Sequence, residues 1–397
     1  MKLSNRATRT AASPLRSLEN PKDKTIQVHR LNIGQPDIPS PQEFFDGLTS
    51  FADKVIAYDA AAGNQTLLDE WTKLINSQYN THITPDEMII TAGSSEALMF
   101  ILSICCDVND EVLVFTPSYA NYSGFAAIAG VTLVPIECSL ESGFHTPADT
   151  NEITKHITQN TRAILLCNPN NPTGTVFRQD EVQTLIDLCE KHDLFLIVDE
   201  VYREFVYESE PYSVLQVSPK HDRVIVIDSV SKRYSLCGAR VGCLITSNRD
   251  VHRAALNFAS TRVSAPTIEQ RAAAHMLQTI SDDYLSLTVD EYRARRDTLV
   301  AGLQSIPGVE FHAPEGGFYV LAKLPVDDAR DFAQFMLRDF SVNSETVCVS
   351  PAGGFFLSDN APTNYVRIAF VVSSKELERA VKVIDHALAV YSSIKAR

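Results

Sequence analysis

The middle of the chain is built from short runs that are apolar at nearly every position, and these alternate with stretches of helical period. The runs are Met88-Ile89-Ile90, Glu111-Val112-Leu113-Val114-Phe115, Val131-Thr132-Leu133-Val134, Ala163-Ile164-Leu165-Leu166, Leu194-Phe195-Leu196-Ile197-Val198 and Val224-Ile225-Val226-Ile227. A strand without a polar face must be covered on both sides, and strands separated by helices join in parallel. The pattern therefore predicts an α/β fold with a mostly parallel sheet sandwiched by helices. Between the last two strands and their predecessors, the stretch from Glu181 to Cys189 puts Leu185, Ile186, Leu188 and Cys189 on one helical face. Val241-Gly242-Cys243-Leu244-Ile245 is read as one more strand.

The last third differs. A charged helix around Glu291-Tyr292-Arg293-Ala294-Arg295-Arg296 leads to three runs read as a small sheet of half-buried strands, Gly316–Leu321, Val347–Ser350 and Tyr365–Phe370. An amphipathic helix from Lys375 to Tyr391 follows. At 397 residues the chain is long enough for two domains. The expected division is a large α/β domain over 46–289 and a smaller α+β domain made from 1–45 and 290–397.

Composition narrows the function classes. With 35 basic and 49 acidic side chains the net charge is −14, which disfavours nucleic acid and anionic membranes as partners. No apolar run reaches the ~18 residues that a membrane helix needs. The eight cysteines form no C-x-x-C pair and sit mostly in apolar runs, so they are expected to be reduced core residues of a cytoplasmic protein, with no metal bound. Lys2, Arg6, Arg9 and Arg16 give the start of the chain a basic character, and Ser13-Pro14-Leu15-Arg16 reads as helix punctuation rather than a cleavage site.

Ligands of open α/β sheets bind at the carboxyl ends of the strands. After Ile90 come Gly93, Ser94 and Ser95, which either cradle a phosphate at a helix start or form a plain turn and cap. After Phe115 comes Tyr119, able to stack on a flat heterocycle or to close the core. After Cys167 runs Asn168-Pro169-Asn170-Asn171-Pro172-Thr173-Gly174, and after Val198 comes Asp199-Glu200-Val201-Tyr202. A carboxylate ending an apolar strand is poorly solvated and calls for a charged partner or ligand. After Ile227 comes Asp228-Ser229-Val230-Ser231-Lys232, with Arg240 eight residues beyond the lysine. Lys232 is either a solvated loop residue or, in a partly buried cleft, a nucleophilic amine. One cofactor would use all these groups together: pyridoxal 5′-phosphate, with its aldehyde, phosphate, ring oxygen and pyridine nitrogen.

Asn171-Pro172-Thr173-Gly174, Asp199-Glu200-Val201-Tyr202 and Ser229-Val230-Ser231-Lys232 with Arg240 resemble the class I/II pyridoxal-phosphate aminotransferases of fold type I, and the likeness runs from Gly34 to Arg367. The resemblance implies that Lys232 holds the cofactor as a Schiff base and shuttles the substrate proton. It implies that Asp199 pairs with the ring nitrogen, that Asn171 and Tyr202 donate to the ring oxygen, and that Tyr119 stacks on the ring. Gly93, Ser94, Ser95, Ser229, Ser231 and Arg240 would surround the phosphate, and Tyr58 would reach the phosphate of a second subunit in a homodimer. Arg367 would grip the substrate α-carboxylate with help from the Gly34 backbone and Asn171.

Two departures stand out. Ala239 replaces the tryptophan that many members carry before the phosphate arginine, and Ser95 stands where some aspartate-specific members carry a side-chain-reading lysine. Arg262 is a candidate replacement reader or else a dimer-interface salt bridge, and Arg203 is a weaker candidate. The expected activity is transfer of an amino group from an L-amino acid, aspartate first, to a 2-oxo acid such as 2-oxoglutarate. Alternatives are an aromatic or broad-range transaminase and a C–S β-lyase on the same scaffold. A transcription regulator built on this fold is not expected, since about 30 residues ahead of Leu31 are too few for a DNA-binding domain.

Overall fold

A computed structural model describes residues 2–10, 18, 21, 23–358 and 360–395. Ser13-Pro14-Leu15-Arg16 lies outside them, and the helix Asn5–Arg9 ends before it. The strands are β1 (Gln27–Arg30), β2 (Met88–Thr91), β3 (Glu111–Thr116), β4 (Thr132–Glu137), β5 (Thr161–Cys167), β6 (Phe195–Asp199), β7 (Val224–Ser229), β8 (Gly242–Ile245), β9 (Glu310–Phe311), β10 (Tyr319–Lys323), β11 (Glu345–Cys348), β12 (Ser350–Pro351) and β13 (Tyr365–Ala369). Seven form the central sheet in the order β2-β8-β7-β6-β5-β3-β4. The pairs β3–β4, β3–β5, β5–β6 and β6–β7 are parallel, whereas β8 runs antiparallel to both β2 and β7. The carboxyl ends of β2, β3, β5, β6 and β7 therefore share one edge.

The apolar strands are buried on both faces because successive side chains enter different cores. Ala163, Leu165 and Cys167 of β5 pack with Leu98, Ile101 and Tyr122 on one side. Ile164 and Leu166 pack with Trp71, Leu185 and Ile186 on the other. Each such aliphatic side chain contributes about 1.5–3 kcal/mol when fully withdrawn from water.

The small sheet departs from the sequence reading. β10 pairs antiparallel with β13, and β12 and β9 flank them. The run expected as one strand over 347–350 is divided: β12 joins this sheet, while β11 pairs in parallel with β1, a strand the apolar pattern did not reveal. Nor are these strands half-buried. Val320, Val347, Val366 and Ile368 are withdrawn from solvent in one core with residues of the helices Ser374–Lys395 and Ala329–Arg338, and Leu321 is buried on the other side with Ala120, Phe144 and Phe355.

A histidine ties the loop after β4 to the loop before β10. His145 Nδ1 lies 2.9 Å from Glu181, and Nε2 lies 3.4 Å from Glu315, whose other oxygen accepts the Val176 N–H. His312 stands 3.9 Å from the same Glu315. Hydrogen bonds to Glu181 and then Glu315 lift the His145 pKa from 6.5 to about 9. A raised histidine stabilises the folded chain fully below its ordinary value, and that contribution is lost as pH rises through the folded one. Urea unfolding should thus show stability falling by about 1 kcal/mol from pH 6.5 to 9, after discounting for solvent access. His145→Gln should flatten this window; an unchanged slope would remove the histidine from the account.

Candidate active site

The shared strand edge opens into a cavity of about 340 Å³. Its wall contains Gly34, Ser94, Ser95, Tyr119, Asn171, Asp199, Tyr202, Ser231, Lys232, Arg240 and Arg367 of the expected residues. It also contains Ile33, Asn121, Cys167, Val201, Cys237 and Tyr319.

One end of the cavity is a helix start. The helix Ser94–Cys105 has free N–H groups in its first turn and begins at Gly93, whose φ is +77°. A Cβ on Gly93 would stand 2.3 Å from Arg240 Nη2, so only glycine lets the guanidinium lie across this start. Arg240 itself has φ +54° and donates to the carbonyls of Cys237 and Ala92 at 3.0 and 3.2 Å. Ser231 faces the cavity beside it. Ser229 does not: its hydroxyl donates to Val241 O at 2.9 Å and accepts the Ser231 N–H at 3.1 Å, capping the short helix Val230–Arg233 behind the wall.

Lys232 projects from that helical turn. Its Nζ donates to Gly34 O at 2.9 Å and lies 3.8 Å from Cys237 Sγ. The expectation that the cysteines are core residues fails for Cys237, which is partly exposed in the cavity, and for the partly exposed Cys138, while Cys167 is a core residue that also lines the cavity. Asp199 closes the floor, 8% exposed. It accepts from Tyr122 Oη at 2.9 Å and from the Val201 N–H at 3.3 Å. Burial raises its pKa to about 6 despite these donors, so a cationic ring nitrogen placed against it would be favoured.

Arg367 forms the opposite wall. It is 1% exposed, with Nη1 donating to Asn171 Oδ1 at 3.0 Å and Nη2 to Asn32 O at 2.8 Å. Its guanidinium lies between the rings of Tyr319 and Phe355, at 4.4 and 4.8 Å. Its Nε is buried without a hydrogen-bond partner, and among the described residues no carboxylate stands within ion-pair distance. A buried cation in this condition is costly unless an anion is brought to it.

Besides Ser229, three further expected residues stay away from the cavity. Arg262 donates to Glu96 at 3.1 Å and to Ile90 O at 2.6 Å, so its charge is already matched within the chain. It is not placed to read a substrate side chain in this cavity. Tyr58 is 79% exposed and outside the cavity of its own chain. Arg203 lies fully buried beneath the floor, bonded to Glu200, Glu204 and Asp228. The sequence reading missed Tyr122, although it falls in the same aromatic run as Tyr119, and it missed Tyr319, which follows Gly316-Gly317-Phe318.

The donor set fits pyridoxal phosphate. Helix N–H groups, serine hydroxyls and Arg240 suit a phosphate, Tyr119 offers a ring face, Asp199 suits a cationic ring nitrogen, and Lys232 supplies an amine.

Comparison with known proteins agrees. The family model described as aminotransferase class I and II matches residues 31–384. An aspartate aminotransferase of Thermotoga maritima is 30% identical over 366 residues, covering 92% of each chain. One of Sulfolobus acidocaldarius is 29% identical, covering 91% of this chain and 90% of that one. The solved Thermotoga maritima aspartate aminotransferase superposes with TM-score 0.87 at 30% identity, covering 98% and 100% of the two chains. An alanine aminotransferase of Pyrococcus furiosus reaches the same TM-score at 28% identity, with the same coverage.

Proposed function

The chain belongs to the class I and II aminotransferases, a pyridoxal-phosphate family, and from that premise we propose that it transfers the α-amino group of aspartate to a 2-oxo acid such as 2-oxoglutarate. The observation that carries the reading is Arg367, a buried guanidinium without a carboxylate, facing the same cavity as Lys232 and Asp199. Its two terminal nitrogens are already oriented by Asn171 and Asn32, so an α-carboxylate can dock in a fork.

Bound pyridoxal phosphate supplies a ring that delocalises the electron pair left when the substrate α-proton departs. Asp199 keeps the ring nitrogen cationic, which makes that delocalisation effective. Tyr202 and Asn171 direct hydrogen-bond donors at the ring oxygen. Lys232 Nζ, which faces the cavity, would take up the substrate α-proton and carry it as a general base and then acid. Ser94, Ser95, Ser231 and Arg240 hold the phosphate, with Gly93 giving Arg240 its room.

The choice of aspartate rests on the names of the relatives, since Arg262 gives it no support. A small neutral donor is the second reading, favoured by a cavity whose charged lining among the described residues is, besides Lys232 and Arg240, only Asp199 and Arg367. We also propose the two-domain division at 46–289 against 1–45 with 290–397, and a homodimer in which exposed Tyr58 serves the neighbouring site. Eight free cysteines support a cytoplasmic setting. No helix among the described residues is long and apolar enough to cross a membrane.

Steady-state rates with aspartate, alanine and phenylalanine against 2-oxoglutarate test the proposal. The highest kcat/KM should fall to aspartate; dominance of either other donor rejects aspartate, and release of pyruvate and ammonia from cysteine conjugates without an acceptor rejects transfer in favour of the lyase. Arg367→Ala should raise KM for every donor by roughly 10–100-fold, because all share the α-carboxylate. An unchanged KM would dismiss that role.

A further inference from the structure

Tyr319 joins two parts of the cavity that come from distant segments. It opens β10, paired with Ala369, and is almost wholly buried. Its hydroxyl lies 3.0 Å from the Tyr202 hydroxyl, and its ring faces the Arg367 guanidinium at 4.4 Å. A Cβ on Gly34 would stand 1.7 Å from Tyr319 Oη, so glycine there leaves the phenol its place.

Proton counting then gives the bond a direction. A phenol has one proton and accepts through its lone pairs. If Tyr202 gives its proton to the ring oxygen, its bond to Tyr319 must be one in which Tyr319 donates. Asn171 Nδ2 is the other neighbour, but at 3.5 Å it is at the outer limit of a hydrogen bond.

We propose that Tyr319 is a positioning residue that donates to Tyr202 Oη, thereby turning the Tyr202 proton toward the ring oxygen, and that its ring holds the Arg367 guanidinium in the plane required by the α-carboxylate. This rests on the roles given above to Tyr202 and Arg367. Consecutive hydrogen bonds polarise one another, so the Tyr319 donation strengthens that of Tyr202 and favours negative charge on the ring oxygen. The two functions separate by substitution: Tyr319→Phe removes the hydroxyl and keeps the ring, while Tyr319→Leu removes both.

The test follows the visible absorption of lysine-bound pyridoxal phosphate during pH titration of the holoenzyme. Tyr319→Phe should raise the midpoint by about half a unit to one unit. In a Tyr202→Phe background the same change should move it by less than about 0.2 unit, since the effect passes through Tyr202. Tyr319→Leu should add a rise in KM of roughly tenfold, shared by all donors, which Tyr319→Phe should not show. A wild-type midpoint in Tyr319→Phe overturns the proton chain, as does a full shift persisting without Tyr202. Equal KM in the Phe and Leu variants overturns the support of Arg367. Failure of the underlying reading looks different: the unsubstituted protein would then show no visible band at all.

Discussion

Lys232→Ala is expected to lower transamination by at least about 10⁴-fold while leaving the protein folded. On the proposed assignment the amine would both anchor the aldehyde carbon and carry the substrate proton, and among the described residues no other amine lines the cavity. The structural consequence is small by comparison. Lys232 is only partly buried and gives up one hydrogen bond, to Gly34 O, so unfolding should move by about 1 kcal/mol or less. Rates and thermal unfolding measured on the same preparation separate these effects. Retained turnover in a folded variant would show that the amine is elsewhere.

The second large effect concerns stability. Beneath the floor, Arg203 and Arg233 are buried with Glu200, Glu204 and Asp228. Arg203 reaches Glu200 at 2.8 Å and both Glu204 and Asp228 at 3.1 Å, with Tyr79 under its guanidinium; Arg233 pairs with Glu204 at 3.0 Å and also with Asp228. Three members adjoin residues of the cavity, Glu200 after Asp199, Arg203 after Tyr202 and Arg233 after Lys232, while Asp228 precedes Ser229 behind the wall. The network thus fixes the ends of β6 and β7 and the lysine turn against one another. Burial alone would raise the Asp228 pKa, but the two arginines hold it below the ordinary carboxylate value. Arg203→Met would leave three buried carboxylates against a single arginine. Removing one partner from such a cluster costs about 3–5 kcal/mol, a large share of the total stability of a folded chain. Denaturant unfolding should show that loss as a lower midpoint. A shift below about 1 kcal/mol would mean that the carboxylates are relieved by water or protons and that the cluster is not the brace described.

The parts legible in the sequence are those where local chemistry settles the outcome. The central strands are readable because nearly every position is apolar, and the cavity residues after β2, β5, β6 and β7 because a strand end selects what it presents. β1 was hidden by its polar composition: His29 is fully buried only because Glu376, 3.0 Å away, and Glu345 accompany it from far along the chain. The division of 345–351 between two sheets depends on partners in β1 and β13 that no local pattern encodes. The same holds for the fate of charges. Arg262 looked available, yet Glu96 takes it from 166 positions earlier. Tyr319 looked like an ordinary strand residue until Tyr202 and Arg367 met it across the fold.

The most direct test of the account is an absorbance spectrum of the purified protein during addition of aspartate without any acceptor. The expected result is a visible band of lysine-bound pyridoxal phosphate that gives way, in a single half-reaction, to the near-ultraviolet absorption of the aminated cofactor, with oxaloacetate released in equal amount. If added pyridoxal phosphate produced no visible band, or if the band formed equally in Lys232→Ala, the assignment of Lys232 and the mechanism built on it would be contradicted.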